Sequence, residues 1–146
     1  MAGRIVVGVD GSEAGAAALR FGEEEARLRG ASLVAVHAWT FIPPTAVGDP
    51  GVIPIAATTL MGDLDAERSA AERTLGDAVA EVLGDVQVEL VVSEGSPGDV
   101  LVEAAGNADL VVVGSRGHGG IRKALLGSVS SHVAGHAPCP VVIVRA

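Results

Sequence analysis

Aromatic side chains are scarce in this 146-residue chain: one tryptophan, two phenylalanines and no tyrosine, 2% of the sequence. With few rings to stack on bases and no basic stripe, nucleic-acid binding drops out as a leading reading. The core must instead be built from valine, leucine, isoleucine and alanine, within a hydrophobic content of 49% that also argues against disorder. The single cysteine, Cys139, excludes an intrachain disulfide and any all-cysteine metal site. Held between Pro138 and Pro140, it reads as a small core or edge residue, and a reducing, cytoplasmic compartment is expected. No apolar run approaches the ~18 residues needed to cross a bilayer, so no membrane partner is expected. Residues 4–9 read straight into a strand, and no signal peptide is expected before them.

Acidic residues stop at Asp109. The net charge is −8, yet residues 110–146 carry +4 through Arg116, Arg122, Lys123 and Arg145. Residues 1–109 therefore hold −12, six basic side chains against eighteen acidic ones. An acidic protein with one locally positive segment suits a small anionic ligand. Familiar phosphate and nucleophile signatures are missing too. GxxxxGK[ST] is absent, GxGxxG fails because Arg122 stands where its last glycine would be, and GxSxG does not occur.

What is present is an alternation of strand and helix signals. Arg4–Val9 is a β-branched strand closed by Asp10-Gly11-Ser12, whose Asp or Ser can cap a helix over Glu13–Arg29 that Gly30 ends. Ser32–Trp39 forms the second strand. Residues 40–62 hold Pro43, Pro44, Pro50 and Pro54 among apolar residues, and are expected as a long segment that packs over a ligand or a partner, or is mobile without them. A helix over Asp63–Leu83, a strand over Val86–Val92 and a short helix begun by Ser96-Pro97-Gly98-Asp99 follow. Leu110–Val113 is an unbroken apolar strand, Ser128–His136 a helix, and Pro140–Arg145 a fifth strand. This order predicts one α/β domain over residues 1–146: a three-layer sandwich with a mostly parallel five-stranded sheet, order 3-2-1-4-5, and helices on both faces. Strands 1 and 4 would then be neighbours at the point where the winding reverses, placing Asp10 and Gly114 on one crevice.

After Leu110–Val113 the chain runs Gly114-Ser115-Arg116-Gly117 and, nine residues later, Gly127-Ser128. A glycine-rich turn between a strand and a helix gathers backbone N–H groups suited to phosphate, and Ser128 and Ser130 add hydroxyls. Arg116, Arg122 and His118 are candidates to neutralise or bond a phosphate, or are simply solvated. His132 and His136 have a spacing that can bind zinc, but no third ligand is evident, and His136 is explained as well by the helix dipole.

The spaced motif Gly114-x-x-Gly117-(nine residues)-Gly127-Ser128 resembles the ATP-binding motif of the universal stress protein family. The opening IVVGVDGS, the HAW that ends the second strand and the closing HAPCPVVIVR are similar to that family as well, so the resemblance spans the chain. It implies an adenine nucleotide alpha hydrolase-like fold, ATP with Mg²⁺ as ligand, and a stress-related role. Residue by residue, it implies Asp10 near the ribose or the metal-phosphate region and Ala38 meeting adenine through its backbone. Gly114, Gly117, Gly127 and Ser128 would hold the phosphates, assisted by Ser130 and the Val129 N–H. Family members pair through their last strands. Independently, Val141–Val144 would be an uncharged β-branched edge that needs covering, which argues for a homodimer. Two functions are compatible with the residues. One is a regulatory protein that binds ATP and changes shape or partners; the other is a slow ATPase or phosphoryl-transfer enzyme, for which no convincing base beyond Asp10 is evident.

Overall fold

The computed structural model describes residues 3–41, 53–116 and 126–146, and the side chains of the second helix from residue 63 onward. The elements run β1 (Arg4–Gly8), α1 (Glu13–Arg29), β2 (Ser32–Trp39), α2 (Ile53–Leu83), β3 (Glu89–Glu94) and α3 (Pro97–Ala104). A 3₁₀ turn at Ala105–Asn107 leads to β4 (Leu110–Gly114), α4 (Ser128–His136) and β5 (Val141–Val144). Among the described residues the strands form one sheet in the order β3-β2-β1-β4-β5, and every pairing is parallel. That is the order and fold class expected from the alternation of elements.

Residue parity decides which layer each strand position serves, because successive side chains point to opposite faces. Ile5, Val7, Leu33, Ala35, Leu110 and Val112 pack with Ala18, Leu19 and Ala26 of α1 and Leu75 and Val79 of α2. Val6, Val34, Val36, Val111 and Val113 meet Val100 and Leu101 of α3, Ala105 and Val133 of α4. The central strands are closed to water on both sides: Ile5, Val6, Val7, Val34, Val111 and Val112 are all 0% exposed. Each such side chain contributes roughly 1.5–3 kcal/mol on burial, so short aliphatic residues suffice where aromatics are few. Arg4 on β1 makes a 2.9 Å ion pair with Glu89 on β3, and its N–H donates to Asp109 at 2.7 Å, which fastens the amino edge of the sheet.

Helix ends follow local chemistry. Ser12 is the N-cap of α1, its hydroxyl accepting from Gly15 N–H at 3.1 Å, and Gly30 closes the helix at φ 64°. Ser96 holds the N-cap position of α3 with Pro97 behind it, but its hydroxyl donates to Asp99 Oδ2 at 2.8 Å instead of capping the backbone.

Two boundaries differ from expectation. α2 starts at Ile53, not Asp63. Proline is tolerated in a first helical turn, where the N–H lacks an intrahelical acceptor anyway, so Pro54 opens this helix instead of belonging to a loop. β3 covers Glu89–Glu94, not Val86–Val92. Its length is set by its neighbour: the register from Val34↔Glu89 to Trp39↔Glu94 follows β2 to its end, while Val86 is left outside at 42% exposure. The central strand β1 and the edge strand β5 are slightly shorter than the apolar runs imply, β1 ending at Gly8 and β5 confined to Val141–Val144. Of the segment 40–62, expected to pack over a ligand or a partner or to be mobile without them, residues 42–52 lie outside the described residues and 53–62 belong to α2.

Candidate functional site

β1 and β4 are adjacent, and the connections out of them go to opposite faces of the sheet. The crevice this opens at their carboxyl ends is the expected ligand position in such a sheet. It is occupied by a cleft of about 380 Å³, within the size range of small-molecule sites. Seven of the residues named from sequence line it: Asp10, Ala38, Gly114, Gly127, Ser128, Val129 and Ser130. Arg116 lines it as well. Gly117, His118, Arg122 and Lys123 lie outside the described residues.

The β1 wall is tightly held. Beyond the last strand pair, Val9 N–H donates to Val36 C=O at 2.9 Å, and Val9 C=O accepts from His37 Nδ1 at 2.8 Å. A carbonyl can only accept, so His37 carries its proton on Nδ1 when neutral. Asp10 follows at once, its Oδ1 accepting from Ser12 N–H at 2.9 Å and from the Ser12 hydroxyl. Asp10 therefore shapes the turn into α1 and faces the cleft too, while Ser12 is the cap of the helix.

The opposite wall is built from β4 and α4. Ser115 N–H donates to Val144 C=O at 2.8 Å, and Ser115 C=O accepts from Gly127 N–H at 2.7 Å. The hydroxyl of Ser130, 1% exposed, reaches the carbonyls of Ser115 at 3.0 Å and Gly127 at 3.1 Å. Its one proton is thus spent tying the ends of the glycine segment together. Gly127 is the N-cap of α4 and offers no side chain, and the first intrahelical bond is Ser131 N–H to Gly127 C=O at 3.0 Å. The amides of Ser128, Val129 and Ser130 precede that bond and have no acceptor inside the helix. A helix start of this kind carries partial positive charge and suits an anion.

Gly114 has a packing reason to be glycine. A Cβ there would stand 2.7 Å from Ala14 Cβ, 2.8 Å from its carbonyl carbon and 2.9 Å from its oxygen. Only a bare Cα lets α1 lie this close to β4.

Sequence reasoning missed the third wall. Pro97 and Leu101 of α3 line the cleft, as do Ser12 and Gly15 of α1. A signal for them existed: in a parallel sheet every crossover helix starts at the carboxyl edge, so each helix start is a candidate.

His132 and His136 stack with ring centroids 4.3 Å apart. His132 Nε2 lies 3.0 Å from Asp99 Oδ1 on α3, and His136 Nδ1 donates to His132 C=O at 2.9 Å. These nitrogens join α3 to α4 and finish the last helical turn. Among the described residues no group of three His, Cys, Asp or Glu is placed to hold a metal, and no helix is long and apolar enough to cross a membrane.

Comparison with known proteins adds the following. The model of the Universal stress protein family matches residues 1–145. The universal stress protein UspA from Lactobacillus plantarum is 27% identical, with a TM-score of 0.71 over 98% of this chain and 97% of that one. A universal stress protein solved in complex with cAMP is 31% identical, with a TM-score of 0.64 over 99% and 97%. The universal stress protein from Archaeoglobus fulgidus in complex with dAMP is 25% identical, with a TM-score of 0.56 over 99% and 98%. No curated protein sequence matches the chain.

Proposed function

The chain belongs to the universal stress protein family, and from that premise we propose that it is a regulatory protein that binds ATP, with Mg²⁺, in the crevice between β1 and β4. The observation that carries this reading is the cleft of about 380 Å³ into which the uncapped start of α4 opens. Relatives solved with cAMP and dAMP support an adenine nucleotide as the ligand class. In this reading the amides of Ser128 and Val129 hold phosphate, the backbone of Gly114 and Gly127 borders it, and Ala38 borders the base. The sequence resemblance adds Gly117 to the phosphate set. Ser130 acts indirectly by fixing the loop ends. Asp10 supplies a carboxylate in the same cleft, suited to a ribose hydroxyl or to the cation that accompanies a polyphosphate.

Binding rather than turnover is the proposed activity, and its output is a change of shape, of partner affinity or of dimer stability. β5 supports the last of these. It is the sheet edge next to β4, four β-branched residues without charge, and each is only half-buried. Pairing with a second copy would cover that edge, so we place a homodimer there.

The test begins by denaturing freshly purified protein and identifying any nucleotide released. The emptied protein is then titrated with ATP and Mg²⁺ by calorimetry while free phosphate is followed. Saturable binding near one ATP per chain without phosphate release is expected. Steady phosphate production would replace the regulatory reading with an ATPase, and absence of binding would overturn the site.

A further inference from the structure

We propose that Arg116 sets the phosphate count of the ligand, making the cleft favour nucleoside triphosphates over monophosphates and cyclic monophosphates. This rests on the reading of the cleft as a nucleotide site and goes beyond it, because the amides at the start of α4 do not distinguish these ligands. They are neutral donors, sufficient for one phosphoryl group whatever follows it. The charges differ: a cyclic monophosphate carries one, a monophosphate about two and a triphosphate about four near neutral pH. A Mg²⁺ ion offsets only part of the triphosphate's charge, and the extra phosphoryl groups lie beyond the first, within reach of a protein cation beside it.

Arg116 occupies that place. Ser115, the residue before it, is held on both sides, its N–H by β5 at Val144 and its C=O by Gly127 at the start of α4. The backbone of Arg116 therefore begins next to the first turn of α4, and its side chain lines the cleft. Among the described cleft residues the fixed side-chain ions are Asp10 and Arg116, so Arg116 is the one permanent cation there. Among the described residues it makes no hydrogen bond and no ion pair, in contrast to Arg4 and Arg29, whose guanidinium groups are engaged by Glu89 and Glu25. A guanidinium presents a planar fork of donors that fits two phosphoryl oxygens at once and stays charged at any working pH.

Calorimetric titrations of the wild type, R116Q and R116K with ATP, AMP and cAMP, all with Mg²⁺ and at two salt concentrations, test this. Circular dichroism confirms that each variant is folded. R116Q should lose about tenfold in ATP affinity, the worth of a partly exposed charge-assisted pair, with less than about threefold change for AMP and cAMP. R116K should fall between, keeping the charge but not the fork. Affinity for ATP should weaken with salt more steeply in the wild type than in R116Q. Equal losses for all three ligands, or no loss in R116Q, would overturn the role of Arg116 while leaving the cleft as a nucleotide site. Failure of the wild type to bind any of the three would overturn both.

Discussion

Replacing Gly114 by alanine separates packing from ligand binding at the glycine motif. The added methyl would meet Ala14 Cβ at 2.7 Å, its carbonyl carbon at 2.8 Å and its oxygen at 2.9 Å. Ordinary contact begins near 3.5 Å, and two of these three atoms are helix backbone, which no rotamer change can move. Relief requires α1 to shift away from β4, loosening a layer that includes the fully buried Leu19 and Val112. Overpacking of this kind costs about 1–3 kcal/mol, which for a domain of this size lowers Tm by about 3–10 °C. Thermal and urea melts of ligand-free protein at fixed concentration measure it. The double variant A14G/G114A removes only the Cβ–Cβ conflict, so a double-mutant cycle should show partial and not full recovery. An unchanged Tm in G114A would refute the reasoning, and full recovery in the double variant would show that the conflict lies in the Ala14 methyl alone. Gly127 gives a contrast: at φ −68° and ψ 167° it sits in extended backbone open to any residue, so its conformation does not require glycine.

Three further outcomes follow from described contacts. Val142→Lys puts a charge in the β5 edge and should weaken the proposed dimer at least tenfold by sedimentation; an undiminished dimer would mean another interface. Ser130→Ala should cost about 1 kcal/mol in urea denaturation, because Ser115 C=O keeps Gly127 N–H and Gly127 C=O keeps Ser131 N–H; a loss above about 3 kcal/mol would contradict that sharing. Burial, and then the negative charge of Asp109, push the Cys139 thiol above its ordinary range, only partly offset by a backbone bond from Val111. With less thiolate present at pH 8, native protein should be alkylated by iodoacetamide more slowly than denatured protein, and equal rates would disprove the shielding.

Much of this architecture was readable from residues alone, for reasons visible in particular elements. Leu110–Val113 is apolar at every position because both faces of β4 are covered, and such runs alternating with helix signals leave few parallel topologies. The crevice followed from strand order alone. Edge and boundary features were less legible. β3 has water on one side, so its exposed Leu90 and Glu89 do not mark its limits; the register to β2 does. Pro54 looked like a breaker because a proline's meaning depends on whether a helix starts or continues there. Bonds between distant residues were beyond reach: nothing in HAW reveals that His37 grips Val9, nor does helical spacing place His132 against Asp99. Ser130, read as a donor to phosphate, spends its proton on two carbonyls that only the fold brings together.

The grip on Val9 has a consequence for how much order a ligand must supply. With its N–H on Val36 and its C=O on His37, this residue is fastened to β2 at both ends of its own backbone, so this part of the β1 wall is formed by the protein's own bonds without a ligand. A pre-ordered surface demands little entropy loss on association. The β4–α4 wall hangs on the knot of Ser115, Gly127 and Ser130. The two walls are thus anchored to different neighbours: the β1 wall to β2 at Val36 and His37, the β4–α4 wall to β5 at Val144 and, through His132, to Asp99 of α3.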